Sequence, residues 1–122
     1  KMDAGVDFLI TQLFFDNADY FAFVARARAA GLRVPIVPGI MPIVSAAGIR
    51  RMTLLSGARI PDELAASLAS VEHDDDLVAT VGIEWATLQC EELLRRGAPG
   101  IHFYTLNRSP ATRAILRRLR QG

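Results

Sequence analysis

The stretch Asp7 to Phe15 (DFLITQLFF) is mostly apolar without alternation, the pattern of a strand covered on both faces, and it lies between Ala4-Gly5 and the polar pair Asp16-Asn17. From Asn17 to Ala30, Tyr20, Phe21, Val24 and Ala27 recur at spacings of three and four, with an Asp or Asn to cap the start and Gly31 at the end. That spacing predicts an amphipathic helix. Val34 to Met41 (VPIVPGIM) is short and apolar but interrupted by Pro35 and Pro38. A central antiparallel strand would tolerate these prolines poorly, and a short parallel strand with a distorted end suits them better.

Ser45 is placed to cap a helix through Leu55, closed by Ser56-Gly57, and Pro61 suits the first turn of another short helix running to Ser70. Asp74 to Asp76 supply acidic first-turn residues to a long helix through Arg96, whose last turn carries Arg95 and Arg96 ahead of Gly97. Both ends complement the helix dipole. Gly100 to Leu106 (GIHFYTL) reads as a third strand, and Ser109 with Pro110 opens a basic helix running to Arg120. The order β-α-β-α-α-α-β-α implies an α/β fold with a parallel sheet and right-handed crossovers. Three such strands alone make a thin sheet with two open edges, whereas three consecutive units out of eight would complete a barrel with upstream sequence. The expectation is therefore the last three β/α units of a (β/α)8 TIM barrel over residues 1–122, undivided by any linker. The first residues read as the end of a helix entering a strand, and the sequence starts at Lys1, so it is expected to be a cut-out piece.

Composition changes this picture little. The 122 residues are 51% apolar and 22% charged, values of a chain that buries a core, and 14 Lys plus Arg against 13 Asp plus Glu leave a formal charge of +1. That balance offers no electrostatic case for nucleic acid or a membrane surface as partner. No apolar run approaches the roughly 18–20 residues that span a bilayer. Cys90 is the single cysteine, so no intrachain disulfide can form, and a reducing compartment, the cytoplasm, is expected. Its apolar, helical surroundings suit a buried small hydrophobe.

In parallel α/β folds ligands meet the carboxyl ends of strands, here Gln12 to Asp16, Pro38 to Pro42 and Tyr104 to Arg108. Gln12 is a polar amide in an apolar run, suited equally to a ligand and to a structural hydrogen bond. Arg108 suits a carboxylate or phosphate, or an ion pair with a neighbouring loop carboxylate. Pro38-Gly39 and Pro42 stiffen a loop in which glycine admits either a ligand or simply a tight turn. His102, between Ile101 and Phe103, suits a satisfied core histidine better than a base. His73 with Asp74 to Asp76 suits a solvated helix cap better than a metal site. Arg113, Arg117, Arg118 and Arg120 form a solvated helix face.

Three segments carry more than their patterning: DAGVDFLITQLFFD (Asp3 to Asp16), PIVPGIMPI (Pro35 to Ile43) and GIHFYTLNR (Gly100 to Arg108). With Arg59-Ile60-Pro61, Val81-Gly82-Ile83 and the Cys90 to Gly97 helix end, in the same order, they resemble the methylenetetrahydrofolate reductase family over essentially the whole chain. The resemblance implies a (β/α)8 barrel, of which these would be strands six to eight. It implies reduction of 5,10-methylenetetrahydrofolate to 5-methyltetrahydrofolate, in one-carbon and methionine metabolism, with FAD passing a hydride from NADH or NADPH to the folate. It assigns substrate contacts to Gln12 and Arg108, with Tyr104 and Leu106 lining the same region. Lys1 would lie by the FAD phosphates and Ile10 beside the flavin. Two positions depart from the family pattern: Gly48 stands where many bacterial relatives have Gln, and Met52 where an aromatic ring stacks on the folate. The general acid and most FAD contacts would belong to the missing N-terminal half of the barrel, the chain's expected partner, and a homo-oligomer is left open. Residues 1–122 alone are then expected neither to hold FAD stably nor to turn over. The alternative reading is a non-catalytic half-barrel fragment or interaction module.

Overall fold

A computed structural model describes residues 7–104 and 110–121. The elements run β1 (Leu9–Leu13), α1 (Asn17–Ala29), β2 (Ile36–Ile40), α2 (Ala46–Ser56), α3 (Asp62–Val71), α4 (Asp75–Arg95), β3 (His102–Phe103) and α5 (Pro110–Gln121). The three strands form one parallel sheet in the order β1-β2-β3. Among the described residues no helix is long and apolar enough to cross a membrane.

Local chemistry explains most boundaries. Asp16 caps α1 by accepting from Ala18 N, Ser45 caps α2 by accepting from Gly48 N, and Asp74 caps α4 by accepting from Asp76 N. Each satisfies a helix-terminal N–H that has no partner within its own helix. At the other end α2 stops at Gly57, whose φ of +73° places it in the left-handed region that a side chain would disfavour. Asp74 thus works as the cap that its acidic run suggests.

Two apolar clusters hold the layers together. On one side of the sheet Phe14, Tyr20, Ile36, Ile40, Ala86, Cys90, Leu93 and Ile115 join β2 to α1, α4 and α5. The other cluster, Leu13, Phe15, Ile43, Ile49, Leu64 and Val78, gathers the ends of the strands under α2, α3 and α4. Helix α4 contributes to both. Cys90 is fully buried, and burial pushes its thiol up to about 12, so it packs as a hydrophobe and does not ionise near neutral pH.

One expectation needs correction. β1 is not covered on both faces: Ile10 is 40% exposed and Gln12 is exposed as well, because β1 is the edge of the sheet and no described strand lies beyond it. The third strand is also shorter than Gly100 to Leu106, spanning only His102–Phe103, with Leu106 outside the described residues.

Candidate functional site

The candidate site forms where the three strands end. β1 and β2 pair Leu9 with Ile36 and Ile10 with Val37, then Leu13 with Gly39, so Thr11 and Gln12 together face the single residue Pro38. This is a β-bulge, and bulges redirect side chains. It also explains how Pro38 sits inside a strand with neighbours on both sides: its missing N–H falls where the ladder is already interrupted.

Gly39 belongs to β2 rather than to a loop, and its small size serves the protein's own packing. A Cβ there would collide with the Tyr104 ring and come within 2.6 Å of Thr11 O. Tyr104 follows β3, donates its N–H to Ile40 O at 2.8 Å, lies across Gly39 and donates its hydroxyl to Thr11 O at 2.7 Å. Thr11 Oγ1 in turn accepts from Gly39 N at 2.9 Å and donates to Gln12 O at 3.0 Å. Tyr104 therefore stands at the strand ends with its hydroxyl engaged on backbone. His102 meets its ring edge-on at 4.7 Å.

Gln12 donates from Nε2 to Ser56 O, the last carbonyl of α2, at 2.6 Å. Ser56 Oγ donates to Met52 O at 2.6 Å and accepts from Ala58 N at 3.1 Å, closing the helix end tightly. Met52 and Tyr104 both pack against the cluster that contains Leu13 and Ile43. The structure thus brings Gln12, Met52 and Tyr104 to one end of the sheet. Ile10 and Gln12 line a cleft of about 660 Å³ together with Phe23 and Arg26 of α1 and the Ser56 to Arg59 segment. Gly48, in the first turn of α2, donates its N–H to the Ser45 cap at 2.9 Å.

The turn from β1 into α1 is clamped by α4. Trp85 Nε1 donates to Phe15 O at 2.8 Å, and the buried Gln89 donates to Phe14 O and Asn17 Oδ1, each at 3.2 Å. Asn17 Nδ2 donates back to Gln89 O at 3.1 Å and to Glu92 Oε1 at 2.7 Å. Arg59, from the connection after α2, pairs with Asp16 at 2.6 Å. The Ala18 N–H and then the Arg59 guanidinium hold the Asp16 carboxyl below its ordinary value of 3.8.

A carboxyl so depressed stabilises the fold above its unfolded value and loses that contribution as pH falls through the lowered one. Asp16→Ala should therefore cost about 1 kcal/mol at neutral pH, the usual worth of an N-cap. In denaturant unfolding of the complete polypeptide the gap to the parent should close below about pH 4. A gap undiminished at pH 2 would place the source elsewhere than in the carboxylate.

Lys1, Leu106 and Arg108 lie outside the described residues, as does Ser109. Arg113, Arg117 and Arg118 are exposed on α5. Among the described residues no three His, Cys, Asp or Glu side chains gather as metal ligands. The sequence marked Ser56 only as the close of a helix and gave Thr11, Trp85 and Gln89 no role. Only Trp85, an indole at a helix position facing the sheet, carried a signal, since a buried N–H needs an acceptor.

A family profile described as methylenetetrahydrofolate reductase matches residues 1–120. The chain belongs to this family. It is 44% identical over 120 residues to a probable methylenetetrahydrofolate reductase (NADPH) of Caenorhabditis elegans, a match covering 98% of the chain and 18% of that relative. It is 41% identical over 119 residues to a methylenetetrahydrofolate reductase (NADH) of Arabidopsis thaliana, covering 98% and 20%. The 5,10-methylenetetrahydrofolate reductase of Salmonella typhimurium is 35% identical over 115 residues, covering 94% and 39%. This member of the reductase family thus spans about a fifth of the length of the two eukaryotic relatives. Its α/β fold, with helices around a parallel sheet, is the setting in which the family's motifs stand: the Gln12 strand is β1, the Pro38-Gly39 motif is in β2, and Val81-Gly82-Ile83 lies within α4.

Proposed function

We propose that this chain is the folate-facing part of a methylenetetrahydrofolate reductase, forming the last three β/α units of a (β/α)8 barrel. The reaction would be reduction of 5,10-methylenetetrahydrofolate to 5-methyltetrahydrofolate at the expense of NADH or NADPH. The observation that carries the reading is the redirected Gln12 amide at the bulged end of β1, grouped with Met52 and Tyr104 at the carboxyl ends of parallel strands, where ligands meet such folds. An amide there can orient a heteroaromatic ring by its edge, and Met52 can pack on a ring face. Arg108 and Leu106, on the segment after β3, would complete the folate contacts, the arginine meeting the carboxylates of the substrate's glutamate tail.

The side chains at the open edge of β1 fit FAD in their chemistry: exposed, apolar Ile10 offers a surface for a flat ring, and Gln12 beside it is a polar partner for a ring edge. Ile10 would lie against the ring and Lys1 near the phosphates. Bound FAD would supply transient storage of the hydride between the two substrates. Residues 1–122 by themselves would not turn over, because the general acid is assigned to the other half of the barrel and the β1 edge needs a strand to cover it.

The test uses the complete polypeptide that contains this chain, assayed for oxidation of NADH or NADPH and, separately, for the folate half-reaction. Gln12→Ala should slow the folate half-reaction about ten- to a hundredfold, the scale of losing a well-placed polar contact in a site. An unchanged rate would remove Gln12 from the site. Absence of methylenetetrahydrofolate reduction by the unsubstituted protein, with either dinucleotide, would overturn the reaction itself.

A further inference from the structure

A groove of about 210 Å³ lies between α2 and α3, and it shares no lining residue with the cleft at Ile10 and Gln12. The short connection from Gly57 to Pro61 folds the two helices into a hairpin, and the Ala46 N–H meets Asp75 Oδ1 at 3.5 Å, which sets the start of α2 beside the junction of α3 with α4. Ala46, Arg50 and Thr53 recur along α2 at helical spacing, as Ala65, Ala69 and Glu72 do along α3, and these two faces form the walls. The alanines leave the gap, and the buried Ile49 and Val78 make its floor. Room for about seven waters at roughly 30 Å³ each admits one small molecule and no peptide or nucleotide.

Charge enters the groove from both walls. Arg50 stands one turn into α2 and Glu72 is the C-cap of α3. Among the described residues neither forms an ion pair, with the other or with any third group. Glu72 is moreover poorly placed for its own helix, since an anion at a helix C-terminus meets the negative pole, and α3 has no basic residue in its last turn to offset it. Asp75 and His73 lie nearby but do not line the groove. The end of Glu72 thus presents a negative charge without a cation, and Arg50 a positive charge without an anion. Toward the Gly57 connection Thr53 Oγ1 donates to Arg50 O at 2.9 Å, within its own helix, so that end of the groove asks for no polar partner.

We infer that this groove is a binding site for an α-amino acid with an apolar side chain of leucine size, its carboxylate on Arg50, its ammonium on Glu72 and its side chain over Ile49 and Val78. A zwitterion answers two opposite charges at once. A simple carboxylic acid would leave Glu72 unanswered, an amine would leave Arg50 so, and glycine would leave the apolar floor uncovered. The inference needs neither folate nor dinucleotide and stands apart from the reductase reading.

The experiment titrates the complete polypeptide with L-leucine at pH 7, followed by ligand-observed NMR. The dissociation constant should fall in the millimolar range, the strength of one small apolar side chain leaving water and two partly exposed charge contacts. Leucinamide, which lacks the carboxylate, and 4-methylpentanoate, which lacks the ammonium, should each bind about fivefold more weakly, the worth of one such contact, and glycine should not bind measurably. Because Arg50 and Glu72 are exposed, each can be removed with the fold intact. Arg50→Ala should weaken L-leucine about fivefold and leave leucinamide unchanged, whereas Glu72→Gln should weaken L-leucine as much and leave 4-methylpentanoate unchanged. Ala69→Phe, at an exposed position on the wall, fills the groove and should abolish binding. Absence of saturable L-leucine binding below about 50 mM would overturn the proposal. So would equal affinities for L-leucine, leucinamide and 4-methylpentanoate, or an L-leucine affinity indifferent to Arg50→Ala or to Glu72→Gln.

Discussion

Gly39→Ala should destabilise the protein by roughly 3 kcal/mol, at the upper end of what overpacking costs. The added methyl would run into the Tyr104 ring, with Tyr104 Cδ2 at 3.2 Å, and would come within 2.6 Å of Thr11 O. A ring can rotate aside, but Thr11 O belongs to the neighbouring strand, and moving it strains the pairing of β1 with β2. Swinging the ring away also withdraws the Tyr104 hydroxyl from Thr11 O, leaving that carbonyl without its donor. The substitution should therefore loosen the Thr11–Gln12 bulge as well as the fold, and it should lower the unfolding midpoint of the complete polypeptide in urea. Gly100→Ala is the control: a Cβ at Gly100 meets no atom within 4 Å, and the change should stay within about 0.5 kcal/mol of the parent. Equal stability of the two variants would mean that Tyr104 does not lie across β2.

Gly82→Ala offers a sharper test because two physical effects predict opposite signs. In a helix interior alanine is favoured over glycine by about 1 kcal/mol, so propensity alone would make the variant more stable. Packing predicts the reverse. A Cβ on Gly82 would collide with Ile43 O and approach Ile43 Cβ to 2.8 Å and Ile43 C to 2.9 Å. Helix α4 lies directly on the backbone that leaves β2, and the absence of a side chain permits that approach. Relief would need α4 and the Met41–Ile43 segment to separate, disturbing the cluster of Leu13, Phe15, Ile43 and Val78 beneath the strand ends. We expect a net loss of roughly 2–3 kcal/mol, read as a lower midpoint in urea unfolding of the complete polypeptide. A gain in stability would show that propensity governs the position and that the helix stands off the loop.

The two glycines show how the family's short motifs acquire physical content. Pro38-Gly39 suggested either a ligand's approach to backbone or a tight turn; the structure puts the protein's own Tyr104 ring over the glycine. Val81-Gly82-Ile83 had no structural meaning in the sequence, since an isolated glycine in a helical pattern looks merely unfavourable. Its reason lies across the fold, in Ile43. Gln12 was legible as a polar residue at a strand end, and of the two uses open to it the structure shows the structural one, its Nε2 donating to Ser56 O. Its direction could not be read, because period-two alternation fails wherever a strand carries an extra residue.

What the sequence determined by itself was local: helix starts at Asp16, Ser45 and Asp74, the end of α2 at Gly57, the β/α order and hence a parallel sheet, and a buried Cys90. Each follows from the chemistry of residues close together in the chain. Tertiary structure alone decided the exposure of β1, which depends on the strand's position in the sheet rather than on its own apolar content. It decided the bulge, the contact of Tyr104 with Thr11 across 93 positions, and the hold of Ser56 on Gln12 across 44. These bring groups distant in the chain into hydrogen-bonding range, and their geometry exists only once the strands, α2 and α4 have packed.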